Sequence, residues 1–300
     1  MAVYTNVNLF LINLLTLAVP RRVIPPLAFF TALLFYGLLG KQRRGIRSNL
    51  QVVTGRRWVE SLVVSAFYKF ARNWCDIMLM SRLSGEKLHA LIGRSSSSGP
   101  MDEALAAGTG AILISLHLGN WELGGMGLAD LGYPVNVMTF REPDERFNSS
   151  REQQRNDRGI RFIYVDRDDA SPLAIIEAVN ALRRNELLCL LGDRDGSSNT
   201  IELPFFGRST RIPAGAAYLA LATGAPVIPV FVVLENGRYF TVMEQPVFFT
   251  AKYGYNHDVI NEGMTSIISI FEQYITKYPD QWYNFYPFWG TGKHNPDQDS

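Results

Sequence analysis

The chain has 300 residues, of which 47% are hydrophobic and 19% are charged. Its 29 basic and 28 acidic residues leave a formal net charge of +1, which gives no chain-wide field that would attract nucleic acid. The two cysteines show neither a metal-binding spacing nor a disulfide framework, so zinc modules and disulfide-stabilised scaffolds are excluded.

Two strongly apolar runs open the chain, at residues 9–19 and 23–40, and a pair of arginines separates them. Neither run reaches the roughly 20 residues that cross a bilayer comfortably. Two consecutive prolines favour a helix that begins at about Pro26. The basic segment that follows, 41–47, favours the cytoplasmic side and anionic headgroups. Residues 1–47 are therefore predicted to form an apolar helical segment that attaches the chain to a membrane.

The pattern beyond residue 47 predicts one α/β domain over residues 48–300. Residues 48–92 are typical of helices, and strand-like runs then alternate with helical patterns. The strand-like runs lie at 111–116, 135–140, 161–165, 187–192 and 226–233, and the helical patterns at 121–131, 145–158, 172–184, 213–223 and about 258–277. This alternation predicts a mostly parallel central sheet flanked by helices. A further run, 238–249, is compatible with an additional edge strand.

Polar residues follow three of these strands at the point where each strand ends. His117 follows the first, Arg141 the second, and Asp193 and Asp195 another. Because ligands of open α/β sheets bind at the carboxyl ends of the strands, we expect these groups to converge on one cleft.

The stretch 117–122, HLGNWE, places an imidazole and a carboxylate where a buried strand gives way to a turn. On one continuous helix, residues five apart point about 140° away from each other. His117 and Glu122 can meet only if His117 ends the strand and Asn120 caps the following helix. A carboxylate on one imidazole nitrogen fixes the tautomer and raises the basicity of the other nitrogen. The alternative is a structural histidine beside a helix-start carboxylate.

Three further blocks follow this H-x4-E block in order. Residues 141–159 have an arginine ahead of a helical stretch and an R-x3-G ending, Arg155-NDR-Gly159. Residues 190–208 contain a D-x-D followed by Phe-Phe-Gly, and residues 212–230 end in a V-I-P strand. The ordered set, which covers about residues 40–290, resembles the bacterial lipid A late acyltransferases and their glycolipid-acylating relatives in actinobacteria.

This resemblance implies an O-acyltransferase at the cytoplasmic face of the inner membrane. It would move a fatty acyl group from a thioester of acyl carrier protein or coenzyme A to a hydroxyl of a lipid A precursor or a related glycolipid. No cofactor or metal is implied. His117 would act as the general base and Glu122 would orient it. A carboxylate of the third block, matched here by Glu202, competes with Glu122 for that role.

The resemblance also implies that Arg155, with Arg141 or Arg158 as alternates, stabilises the oxyanion or holds an acceptor phosphate. The alternative for these arginines is a solvated helix face, and for the aspartates it is turn chemistry at a strand end. The residues expected to bind substrate are Asn120, Arg141, Arg158, Asp193, Asp195 and Arg211.

The aromatic segment 278–289, YPDQWYNFYPFW, is where the chain departs from the lipid A enzymes. Those enzymes tend to end with a tryptophan closely followed by arginines, whereas this stretch has no basic residue. Its aromatic side chains suit an interfacial belt or a less charged headgroup. An acceptor other than a lipid A precursor, including a product of a dedicated biosynthetic cluster, therefore stays open.

Two other classes of protein stay open as well. The D-x-D of Asp193 and Asp195 is compatible with a metal-dependent glycosyltransferase. That reading leaves His117 and Glu122 without a role, and no glycine-rich nucleotide loop precedes the aspartates. A non-catalytic membrane-binding protein would use the N-terminal helices alone.

Overall fold

The computed structural model describes residues 21–80, 83, 85–90, 92–95, 97–140, 159–165, 172–194, 199–250 and 257–289. The chain divides into two compact units. One consists of Met1–Ser84 and Ile275–Ser300, and the other of Gly85–Tyr274. We call them the helical unit and the sheet unit. The boundary predicted after residue 47 falls inside a continuous helix, Gly40–Thr54, of the helical unit.

The helical unit contains helices α1 (Ile24–Leu38), α2 (Gly40–Thr54) and α3 (Glu60–Met80). Helix α1 begins two residues before the position predicted from its prolines, which occupy its first turn. Its buried residues Ile24, Ala28 and Ala32 are spaced by four and therefore share one face. The small alanines on that face join the same apolar core as Val63 and Phe67 of α3.

The opposite side of α1 is an apolar stripe that points outward. Phe30, Leu34 and Leu38 are 68%, 57% and 70% exposed, so their side chains are not covered by the fold. Among the described residues, no single helix is both long and apolar enough to span a membrane. Only α1 and α2 together meet that test, and a bend of 99° separates them. The other predicted apolar run, 9–19, lies outside the described residues.

The C-terminal aromatic segment is packed into the helical unit. Trp282 and Tyr283 are buried, and burial holds the pKa of the Tyr283 phenol well above its ordinary value. Phe285 contacts the rings of Phe67 and Phe70 edge to face. The interfacial belt predicted for this segment is therefore wrong for Trp282 and Tyr283, because both side chains are used in packing.

The sheet unit contains a seven-stranded sheet in the order β1-β9-β8-β2-β5-β3-β4, together with a separate hairpin, β6–β7. The strands are β1 (Ile92–Ser95), β2 (Ala111–Ser115), β3 (Val135–Phe140), β4 (Arg161–Val165), β5 (Leu187–Leu191), β6 (Thr200–Phe205), β7 (Arg208–Pro213), β8 (Val227–Glu235) and β9 (Arg238–Met243). The helices are α4 (Glu86–His89), α5 (Gly99–Ala106), α6 (Trp121–Asp130), α7 (Pro172–Arg183), α8 (Gly215–Thr223) and α9 (His257–Lys277), of which the last three residues of α9 belong to the helical unit.

The predicted fold class is confirmed for the sheet. Every strand pair of the seven-stranded sheet is parallel except β8–β9, and all five residues of β2 are buried, as expected for a central strand covered on both faces. Strand β9 is an interior strand between β1 and β8, so the edge position considered for 238–249 is wrong. The antiparallel hairpin β6–β7 was not predicted. The helix predicted at 145–158 lies outside the described residues.

The amino ends of three strands are tied together by one carboxylate. Glu186, directly before β5, accepts hydrogen bonds from Asn136 on β3, Arg161 at the start of β4, and Arg184. These bonds lower the pKa of Glu186, with the bond from Arg184 contributing most. The amino ends of these strands therefore carry structural ion pairs, and a substrate site is expected at the carboxyl ends of the strands.

We predict that Asn49→Ala destabilises the helical unit. The buried Asn49 side chain donates to the carbonyls of Asn284 (2.8 Å) and Tyr286 (2.7 Å), and it accepts from the N–H of Phe288 (2.8 Å). Losing three hydrogen bonds of a buried side chain costs about 2–4 kcal/mol of unfolding free energy. Denaturant unfolding measures this cost. Gln51→Ala, which removes one exposed bond to Arg57, is the control and should cost under about 1 kcal/mol.

Candidate active site

The register of two neighbouring strands brings His117 and Asp193 together. Strands β2 and β5 pair in parallel, and their last residues, Ser115 and Leu191, face each other. His117 and Asp193 each lie two residues beyond that last pair. The N–H of Gly192 donates to the carbonyl of Ser115 (2.8 Å) and extends the ladder by one step. The two side chains therefore lie side by side at the carboxyl ends of neighbouring strands.

Asp193 holds His117 by two hydrogen bonds. Its Oδ1 lies 2.7 Å from Nδ1 of the His117 ring and accepts the backbone N–H of His117 at 3.2 Å. The Asp193 side chain is almost completely buried, whereas that of His117 is partly exposed. An ionised carboxylate can only accept, so the proton between the two groups belongs to Nδ1. The free Nε2 then carries the lone pair of a neutral imidazole.

The pKa of His117 lies below its ordinary value of 6.5. Burial is the main cause, because it penalises the charged ring, and the positive charge of Arg194 lowers the pKa further. The charge and hydrogen bond of Asp193, and then the charge of Glu122, raise it in part. His117 is therefore neutral at neutral pH and able to accept a proton.

The turn after His117 is shaped by Gly119 and Asn120. Gly119 has φ +65°, and a Cβ at this position would lie 2.0 Å from the carbonyl oxygen of Val232 on β8. The N–H of Asn120 donates to that same carbonyl (2.7 Å). These contacts fix the turn to β8. The backbone at His117 is therefore held by β8 as well as by Asp193.

Asn120 caps helix α6, as the sequence predicted. Its side-chain oxygen accepts the N–H of Leu123 at 3.0 Å. The side chain is fully buried and is used to hold the turn and the start of α6. Glu122 lies in the first turn of α6, as expected, and its negative charge raises the pKa of His117.

Trp121, the first residue of α6, packs edge-on against the His117 ring. The ring centroids are 5.2 Å apart and the planes are inclined by 67°. The imidazole is thus bounded by a carboxylate at Nδ1 and by an indole beside the ring. Sequence reasoning did not single out Trp121 as a contact of His117.

Glu202 and Arg211 lie opposite each other on the β6–β7 hairpin. Both side chains are exposed; Ser209 Oγ donates to Glu202, and Arg211 donates to the hydroxyl of Thr200 at 3.0 and 3.1 Å. The hairpin is fixed to α9, because the N–H of Phe206 donates to Glu272. The structure therefore brings Glu202 and Arg211 together on the hairpin, and it brings His117, Asp193 and Asn120 together at the strand ends.

Four of the predicted site residues, Arg141, Arg155, Arg158 and Asp195, lie outside the described residues. Within the described part of the chain, no group of three or more His, Cys, Asp or Glu side chains is arranged to hold a metal ion. Asp193, one half of the D-x-D, directs its Oδ1 to His117.

Sequence reasoning placed Asp193 near the site but gave it no contact with His117. The sequence signal for this contact is that each residue lies two positions beyond the end of its strand, His117 beyond β2 and Asp193 beyond β5. It becomes informative only when β2 and β5 are known to be neighbours. Arg194 is a second group that was not singled out, and its charge bears on the pKa of His117.

Comparison with known proteins identifies the family to which the chain belongs. Residues 2–291 match the family described as bacterial lipid A biosynthesis acyltransferase. A phosphatidylinositol mannoside acyltransferase of Mycobacterium tuberculosis (strain ATCC 25618 / H37Rv) is 27% identical over 252 residues, which cover 81% of this chain and 76% of the relative. The protein of the same name in Mycolicibacterium smegmatis (strain ATCC 700084 / mc(2)155) is 26% identical over 250 residues, 81% of this chain and 78% of the relative. Because the family match spans nearly the whole chain, this protein belongs to the bacterial lipid A biosynthesis acyltransferase family and is an O-acyltransferase.

Proposed function

We propose that the enzyme transfers a fatty acyl group from a thioester of acyl carrier protein or coenzyme A to a sugar hydroxyl of a membrane glycolipid, with His117 as the general base. The observation that carries this proposal is the 2.7 Å contact between Nδ1 of His117 and Asp193 at the end of two central strands. It leaves Nε2 of a neutral ring available for the proton of the acceptor hydroxyl.

The proposed reaction needs no covalent enzyme intermediate, because a thioester carbonyl is already activated. Nε2 of His117 takes the hydroxyl proton while the acceptor oxygen attacks the thioester carbon. The tetrahedral oxyanion collapses, the carbon–sulfur bond breaks, and the thiolate leaves. The thiolate recovers the proton from the imidazolium, so the products are an ester and a free thiol. Asp193 stabilises the imidazolium and keeps Nε2 aimed at the acceptor.

Positive charge near the ring suits the oxyanion. Arg194 follows Asp193 directly, and its charge acts on the His117 ring. Arg155, with Arg141 or Arg158 as alternates, is proposed for the oxyanion or for an acceptor phosphate on the strength of the family motif. The amino-terminal end of α6, which carries the positive end of the helix dipole, adds to this field.

For the acceptor we propose a glycolipid of the phosphatidylinositol mannoside type, because the similar relatives carry that name. The absence of basic residues in the sequence 278–289 supports a weakly charged headgroup over the bisphosphorylated lipid A precursor, which is the second candidate.

We also propose that the enzyme works at the cytoplasmic face of the inner membrane, where both thioester donors are made. The outward stripe of α1 supports this location, because Phe30, Leu34 and Leu38 would otherwise stay in water. The basic residues that follow α1 favour the cytoplasmic, anionic leaflet.

We predict that Asp193→Asn lowers kcat by about 10²- to 10⁴-fold. The amide would donate to Nδ1, so the ring proton would move to Nε2 and block the base. Steady-state transfer from an acyl thioester, followed by thiol release, measures this loss. Glu122→Gln and Glu202→Gln should lose less. A larger loss in either of them would assign the orienting role to that residue.

We predict an acid limb in the pH profile of kcat/KM with a midpoint below 6.5, because the base must be neutral and the pKa of His117 is lowered. Arg194→Gln removes a charge that lowers this pKa, so its limb should move to higher pH. Asp193→Asn removes influences that raise the pKa, so its limb should move to lower pH. Midpoints that do not move in opposite directions would contradict the assignment of the limb to His117.

We predict that deleting the gene leaves one lipid lighter by one acyl group, and that His117→Ala fails to restore it. Mass spectrometry of total lipids identifies the acceptor and the chain length together. A phosphatidylinositol mannoside should be the changed species. A changed lipid A species would select the second candidate acceptor, and lipid masses that do not change would refute both.

A further inference from the structure

The loop between α2 and α3 presents a large aromatic side chain to solvent. Trp58 is 84% exposed, more than any other large hydrophobic side chain of the described residues. Its neighbours Arg56 and Arg57 are also exposed. Tryptophan is favoured where an apolar phase meets water, and arginine is favoured where phosphates lie. We call Arg56, Arg57 and Trp58 the RRW corner.

The RRW corner is held in place by the residues on either side of it. Helix α2 ends at Gly55, whose φ of +65° turns the chain, and the side chain of Gln51 donates to the carbonyl of Arg57 (2.8 Å). Val59, directly after the corner, is buried in the core of the helical unit. The exposed tryptophan is therefore presented by a fixed loop.

Arg57 borders a crevice of about 320 Å³ next to Trp58, and its guanidinium lies 5.9 Å from the centre of the indole ring. The other arginine of the crevice, Arg47, donates to both carboxylate oxygens of Glu60, at 2.8 and 2.9 Å. No carboxylate among the described residues pairs with Arg56 or Arg57. The positive charge of Arg57 is thus available to an external anion.

The corner lies beside the carboxyl end of α1. The Tyr36 hydroxyl, near the end of α1, donates to Glu60, which follows Trp58 by two residues. Arg43 donates to the Tyr36 carbonyl (2.9 Å) and lies over the Tyr36 ring. The carboxyl end of α1, where the apolar stripe ends at Leu38, therefore lies near the cations Arg43 and Arg47. That order of groups is the one found at a lipid–water interface.

We propose that the RRW corner docks on the headgroup layer of an anionic phospholipid bilayer, with Trp58 in the interface and Arg57 on a lipid phosphate. The inference rests on the proposed membrane location and adds a second contact to the stripe of α1. It also separates the basic residues into two groups. Arg47 is used to hold the fold, whereas Arg56 and Arg57 face the lipid.

Flotation of the purified full-length enzyme with lipid vesicles tests the inference. The vesicles are phosphatidylcholine alone, or phosphatidylcholine with about a third phosphatidylglycerol. Arg56→Gln together with Arg57→Gln should weaken binding to the anionic vesicles by about 25-fold and change binding to the neutral vesicles little. Trp58→Ala should weaken binding to both. Arg56→Lys with Arg57→Lys keeps the charge and should retain most of the binding.

The matched control is Arg183→Gln with Arg238→Gln, which removes the same charge from exposed positions of the sheet unit. An equal loss in the control would show that only net charge matters and would overturn the inference, as would wild-type binding by the corner variant. Transfer by the wild-type enzyme is assayed separately in detergent micelles. An enzyme that transfers acyl groups but does not float with anionic vesicles would overturn the docking while leaving the reaction intact.

Discussion

The hydrogen bond between His117 and Asp193 is the contact on which the proposed chemistry depends, and it is a product of strand register. Strands β2 and β5 end level with each other, so the second residue beyond each end lies at the same edge. A slip of one residue would turn one of the two side chains to the other face of the sheet. The buried apolar side chains of both strands oppose such a slip, so the core fixes the geometry of the His117–Asp193 pair.

The residues around His117 and Asp193 also fix the position of the pair and the protonation state of the imidazole. Gly119 permits the close approach of the turn to Val232, and Asn120 ties the turn to β8 and begins α6. Burial then makes the charged imidazole costly, while Asp193 limits that cost. The result is an imidazole that is neutral at neutral pH and whose cation is stabilised by a carboxylate, as the proposed role of His117 as a general base requires. These are opposing demands, which a buried carboxylate hydrogen-bonded to the ring reconciles.

Sequence patterns predicted the central strands well, because strands covered on both faces need uninterrupted apolar side chains, as in β2 and β5. The patterns failed for strands whose residues alternate between buried and exposed, and for strands that pair with distant parts of the chain. The β6–β7 hairpin has one buried and one exposed face, so its residues, among them Glu202, were read as a chemical motif. The position of β9 depends on its pairing with β1, which lies more than a hundred residues earlier. Burial of Trp282 likewise depends on helices far away in the chain.

The sequence by itself determined the fold class, the family and the identity of His117 as the candidate base, because these follow from local periodicity and from ordered motifs. Only the tertiary structure decided which carboxylate contacts the ring. The sequence favoured Glu122 as the partner of His117 because it is near in the chain, and Glu202 because of its position in the family motif. Asp193 is 76 residues from His117, and the two meet only because β5, although fifth in chain order, pairs directly with β2. Strand order is set by the packing of the whole core, and no local stretch of sequence encodes it.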